Sequence, residues 1–170
     1  MNSPKVVSQA EFMDTDFGYI SGIFGTNTDI VKRATEGIRP EHWLLQPGDA
    51  SNPLTWVAGH LVASRDTVLK ALGSEWSAPW TSLFARGAKL AAPGQYPGVE
   101  EIRRAWNDVS EQLAASLASV PADVLARPHE KPSFDGTVGG FVAFLALHET
   151  YHVGQLGYLR KWLGYGQLVG

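Results

Sequence analysis

Hydrophobic positions along this chain recur at steps of three and four over four long stretches, the spacing of helices that each bury one face. The first stretch, 16–37, carries Phe17, Ile20, Phe24, Asn27, Val31 and Ala34, with Ile38 just beyond. The second, 53–72, carries Val57, Leu61, Val68 and Leu72; Asn52 and Pro53 read as its cap and first turn, and Gly73 as its stop. The third, 99–120, is the most regular: Ile102, Trp106, Val109, Leu113 and Leu117, with Glu100 and Glu101 at the positive end of the helix dipole. The fourth, 137–163, runs through Val138, Phe141, Leu145, Leu156, Leu159 and Leu163, opened by Thr137 and closed by Gly164. No stretch alternates convincingly with the period of two that a half-buried strand needs. Four such stripes predict an all-α four-helix bundle with long connecting loops, a single domain over 1–170. Because all three connections are long, the pattern leaves the order of the helices around the bundle open.

Several positions break the pattern. Asn27 lies on the first stripe, either as a polar residue that sets register or as a group facing a site. Gly18, Gly22 and Gly25 weaken that helix, by up to about 1 kcal/mol each, and suggest close approach by another backbone. Gly59, within the second helix, suggests a neighbour that comes close. The segment 74–97 has little periodicity but is rich in aromatics (Trp76, Trp80, Phe84, Tyr96), which either cover a pocket mouth or pack beneath a long loop.

Composition narrows the function classes. The chain has 170 residues, 44% hydrophobic and 18% charged, as in an ordinary globular domain. With a net charge of −3 and no basic cluster, it offers nothing for a nucleic acid or an anionic membrane. No run approaches the roughly 18 apolar residues of a membrane span, and the first ten residues do not read as a leader, so the expected compartment is the cytoplasm. There are no cysteines, which excludes disulfides, thiolate metal ligands and a cysteine nucleophile.

The fourth stripe holds the candidate chemistry. His148 and His152 take positions where leucine is expected, one helical turn apart on one side. A buried imidazole with an unmet nitrogen costs about 1–3 kcal/mol, so two neighbours need partners. A shared metal ion meets both needs; so does hydrogen bonding to Ser64, Asn27 or backbone. Of the other three histidines, His60 alone lies beside an apolar helical stripe, while His42 and His129 fall in proline-rich connections where solvation is expected. The stretch His148-Glu149-Thr150-Tyr151-His152 also fits the zinc-protease pattern, with Glu149 as general base. That reading fails downstream, because 153–170 contains no His, Asp or Glu to serve as a third ligand and Gln155 replaces the glycine of the extended pattern.

Trp56-Val-Ala-Gly59-His60-Leu61, His148-x-x-Tyr151-His152-x-Gly154-Gln155-Leu156 and Leu159-Arg160-Lys161-x-Leu163-Gly164, in this order over nearly the whole chain, resemble the DinB/YfiT-like metalloenzyme family. The resemblance implies a four-helix bundle holding one divalent metal on His60, His148 and His152, the trio that burial and spacing also select. Nickel, zinc and iron all suit imidazole, and three histidines do not choose among them. The resemblance further implies a metal-dependent transferase that moves a low-molecular-weight thiol (bacillithiol, mycothiol or glutathione) to a small electrophile, and a homodimer. Two alternatives stand beside it: a non-catalytic metal- or ligand-binding stress protein, and a metal-dependent small-molecule hydrolase with Glu149 as base. Gln155 is a candidate for orienting a ligand or substrate, with a hydrogen bond inside the bundle as the plain alternative. Tyr151 and Glu149 are further candidates, whose plain reading is exposure to solvent or to another subunit.

Overall fold

The computed structural model describes residues 9–85, 87–130 and 132–168, with side chains from residue 17 onward. Residues 1–8, most of the stretch read above for a leader, lie outside it. Four long helices and a single-turn fifth form: α1 Gln9–Thr35, α2 Leu54–Ala71, α3 Val99–Ser119, the one-turn α4 Ala122–Leu125, and α5 Val138–Trp162. The described residues contain no strand, only one isolated bridge between Pro128 and Thr137. No helix among them is long and apolar enough to cross a membrane.

The helix ends follow local chemistry. Thr137 caps α5 by accepting from the Gly140 N–H at 3.0 Å, a contact worth about 1 kcal/mol. Gly73 and Gly164 take positive φ just past α2 and α5, where a side chain would be strained. Asn52 does not cap α2, contrary to expectation. Pro53 occupies that position, and the Trp43 carbonyl accepts from both the Thr55 N–H and its hydroxyl. The buried Trp43 thereby supplies the acceptor that a capping side chain would have offered.

Named contacts fix the topology. Asn27 of α1 donates to Thr150 of α5, and Arg160 further along α5 donates to the carbonyls of Ala34 and Glu36 at the end of α1. These two helices therefore run parallel. Arg103 reaches the Thr35 carbonyl and Trp106 that of Thr28, so α1 and α3 run antiparallel. Helix α2 packs between α3 and α5. Trp43 joins the starts of α2 and α3 through Thr55 and Arg103, and Arg127 joins the end of α2 to the start of α5 through Ala71 and Val138, so α2 runs parallel to α3 and antiparallel to α5. Two connections thus cross the bundle diagonally and the third must return the full length of α2, which is why none is short. Asn27 ties α1 to α5 through Thr150 and also lines a cleft between them, so it has features of both readings above. Gly18, Gly22 and Gly25 have nothing within 4 Å of a notional Cβ, so no backbone approaches them.

The second helix is buried on almost every side, including Leu54, Val57, Leu61, Val62, Val68 and Leu69. Its outer face is covered by the 74–97 segment, whose turn Thr81–Phe84 lies against it. Phe84 is fully buried, edge-on to Trp80 at 5.5 Å and stacked on Tyr96 at 5.6 Å. Gly59 has the close neighbour expected of it: a Cβ there would clash with the Phe84 ring, 2.4 Å from its nearest atoms.

At the centre, Arg65 of α2 and Glu149 of α5 form a buried ion pair, each side chain 1% exposed. Both carboxylate oxygens accept from the guanidinium at 2.7 Å. The remaining N–H groups go to Thr28 and Phe24 of α1 and Ser110 of α3, while Trp106 lies under the guanidinium at 3.9 Å. One cation therefore bonds or stacks with all three other long helices, with all five of its donors used.

Candidate metal centre

Three imidazoles meet between α2 and α5. His60, His148 and His152 each offer a ring nitrogen, and the three nitrogens lie within 4.8 Å of one another. His60 and His152 are buried and His148 is half-buried. The spacing that put His148 and His152 on one side of α5 also aims them at α2, which runs alongside in the opposite direction.

Hydrogen bonding decides which nitrogen each ring presents. His60 Nδ1 lies 2.7 Å from the Phe84 carbonyl, which only accepts, so Nδ1 carries the hydrogen and Nε2 turns a lone pair toward His148, 3.0 Å away. His152 Nδ1 lies 2.7 Å from Gln155 Oε1, whose amide nitrogen donates to the Tyr151 hydroxyl at 3.3 Å. The amide is thus oriented to accept from His152, again leaving Nε2 for the centre. Such outer bonds fix the ring and its tautomer in histidine metal sites. Aromatic packing holds the rings as well. Trp56 stacks on His60 at 4.8 Å and 7°, and Tyr151 meets His152 edge-on at 5.1 Å.

Both buried rings are neutral at pH 7. Burial pushes the His152 pKa down from 6.5 to about 4; the Gln155 bond opposes this, and the neighbouring His60 and His148 add to it. Burial lowers that of His60 too, against the Phe84 carbonyl bond. Neutral imidazole is the form that binds metal, so the site stays ready for a cation without having to shed protons. Metal–nitrogen bonds of about 2.0–2.1 Å require ligand nitrogens about 3–3.4 Å apart, and the 3.0 Å pair already meets that spacing. The residues present fit a divalent ion, on which three protein ligands would leave room for exogenous ones.

The other sequence candidates divide. Gln155 bonds a trio histidine directly. Tyr151 is 65% exposed at the rim and touches the trio only through Gln155 and its ring edge. Glu149 faces neither solvent nor another subunit: both its oxygens are held by Arg65, which removes it as the base of a hydrolase. His42 and His129 lie in the connections as expected, each half-buried rather than fully solvated. His42 accepts from Arg39 and bonds the Tyr165 hydroxyl, and His129 packs 4.0 Å from the Phe141 ring. Neither joins the trio.

Arg65 went unread in the sequence, although a signal was there. The stripe of α2 steps from Leu61 to Val68, and Arg65 fills the gap; Glu149 fills the equivalent position between Leu145 and His152 on α5. Opposite charges on two apolar stripes predict each other. The Phe84 carbonyl left no such trace, because a backbone acceptor carries no residue signature.

Two clefts, of about 420 and 430 Å³, lie elsewhere: one between the end of α1 and α3, the other between α1 and α5. Neither is lined by a histidine. Among known proteins, the family model described as the DinB superfamily matches residues 24–156. That span takes in all of α2 and α3 and every residue of the trio. No curated protein matches the chain.

Proposed function

The chain belongs to the DinB superfamily, and from that premise we propose that it binds one divalent metal ion on His60, His148 and His152 and uses it to transfer a low-molecular-weight thiol to a small electrophile. The observation that carries this reading is the convergence of three imidazole nitrogens, two of them turned inward by hydrogen bonds on their far side. The chemistry a divalent ion supplies here is Lewis acidity, which favours thiolate over thiol at neutral pH. The chain's own residues do the rest. Phe84 and Gln155 hold the tautomers of His60 and His152, Trp56 stacks on His60, and Arg65 keeps Glu149 turned away from the reacting groups. Having no cysteine, the chain leaves a thiol to be supplied by a cosubstrate.

A non-catalytic metal-binding role is the second reading, favoured by the burial of two of the three ligands. Half-burial of His148 supports access from outside and hence an enzyme. Elemental analysis of protein purified without added metal is expected to give one divalent ion per chain, lost in His60→Ala and His148→Ala. Gln155→Leu should keep the ion but bind it about 10–100-fold more weakly in chelator competition. A wild type that took up no divalent metal after reconstitution would end the proposal. Turnover of an electrophile only when bacillithiol, mycothiol or glutathione is added would separate the transferase from the binding protein.

We also propose a homodimer in the cytoplasm. Exposed Tyr158 and Trp162, one turn apart along α5, support a self-contact. Sedimentation velocity should give twice the chain mass of 18.4 kDa, and Tyr158→Ser should shift it toward monomer. A monomeric wild type at micromolar concentration would remove the dimer.

A further inference from the structure

Leaving the trio on its His148 side, one meets carbon rather than charge. Phe144 and Tyr151 stand four residues before His148 and three after it on α5, so they flank it, and Leu147 joins them in one row beside it. The Phe144 ring lies 6.4 Å from the His148 imidazole and within 17° of parallel. Phe134, from the loop preceding α5, meets Phe144 edge-on at 6.0 Å. Tyr151 closes the other end against His152. Phe134, Leu147 and Tyr151 are 63%, 59% and 65% exposed, and Phe144 is half-buried.

These side chains therefore flank a half-buried imidazole while remaining largely in water. Leaving apolar surface hydrated forgoes about 25 cal/mol per Å², so a cluster of it beside a polar site marks where a ligand's non-reacting part is covered. Among the described residues, two nearby carboxylates are already engaged. Glu149 is turned to Arg65, and the Asp135 carboxylate accepts from the backbone and hydroxyl of Thr137. The rim offers no ionic partner on α5 between Phe144 and Gln155 other than the trio itself. It offers ring faces and edges, one of them stacked directly on a ligand imidazole.

We infer that the substrate taken by this site carries its metal-seeking polar group on an aromatic ring, which lies against Phe144 within the rim formed by Phe134, Leu147 and Tyr151 while the polar group reaches the trio. The inference rests on the reading of the trio as a metal site. The Phe144 ring is a direct neighbour of the His148 imidazole, so one small molecule can span the rim and the metal.

Two hydroxamates with the same chelating group, one bearing methyl and the other phenyl, test this. Protein loaded with Co(II) is titrated with acetohydroxamate and benzohydroxamate and followed by its visible absorption. Benzohydroxamate is expected to bind about tenfold tighter or better. In Phe134→Ser and Phe134→Ser/Leu147→Ser, both altered only at exposed positions, that preference should shrink at least about threefold while acetohydroxamate affinity stays unchanged. Equal affinities in the wild type, or a preference that survives both variants, overturn the inference while leaving the metal site standing. Metal uptake with no hydroxamate binding overturns it too. A wild type that takes up no metal sinks the metal reading and this one with it.

Discussion

Replacing Glu149 with leucine should cost about 3–5 kcal/mol of stability, because it strands a guanidinium that is 1% exposed and bonded to all three neighbouring helices. Arg65→Met should cost a similar amount by stranding the carboxylate. The double variant should recover most of the loss. Its remaining polar groups keep partners: Thr28 Oγ1 also donates to the Phe24 carbonyl, and Ser110 Oγ to that of Trp106. Urea denaturation of the two singles and the double closes the cycle. Additive losses in the double would mean that the pair is not the coupled unit described above. The consequence reaches the trio, since Glu149 follows His148 on α5 and fixes the rotation of that helix against α2. Metal affinity in Glu149→Leu should therefore fall even at temperatures where the variant remains folded.

Metal-free protein should lose stability as the pH falls from 6.5 to about 4. Across that window His152 binds a proton in the unfolded chain but not in the folded one, so protonation pulls the equilibrium toward unfolding. Nothing is lost on this account above pH 6.5, and the loss grows to at most on the order of 3 kcal/mol by the lower end, less where solvent screens the ring. Burial of His60 acts in the same direction. Urea midpoints at pH 7.5 and 4.5 measure it, and His152→Leu should flatten the difference markedly. An undiminished difference in that variant would assign the acid sensitivity elsewhere. Bound divalent metal should steepen the fall, since protons and the ion compete for the same nitrogens.

What the chain determined by itself is the set of elements and most of the trio. Steps of three and four through Ile102, Trp106, Val109, Leu113 and Leu117 need only helical geometry, and all five residues are buried. Two histidines one turn apart on a leucine stripe need partners by the same arithmetic, which leaves open whether they share one. It is the Arg65 pairing of Glu149 in the structure that takes the base from the protease reading. Family resemblance added His60 to the pair, and burial and spacing selected it independently.

Tertiary structure alone decided the rest. Which helices run parallel depends on where three long connections travel, and no local pattern encodes that. The roles of Glu149 and Arg65 follow from what faces them across the bundle: in sequence they are two charges 84 residues apart, in space one ion pair. Likewise, the hydrogen on His60 Nδ1 is placed by the backbone carbonyl of Phe84, 24 residues away and silent in the sequence. Local rules reach about one helical turn; a ligand's tautomer and a base's availability are set by neighbours that only folding brings within 3 Å.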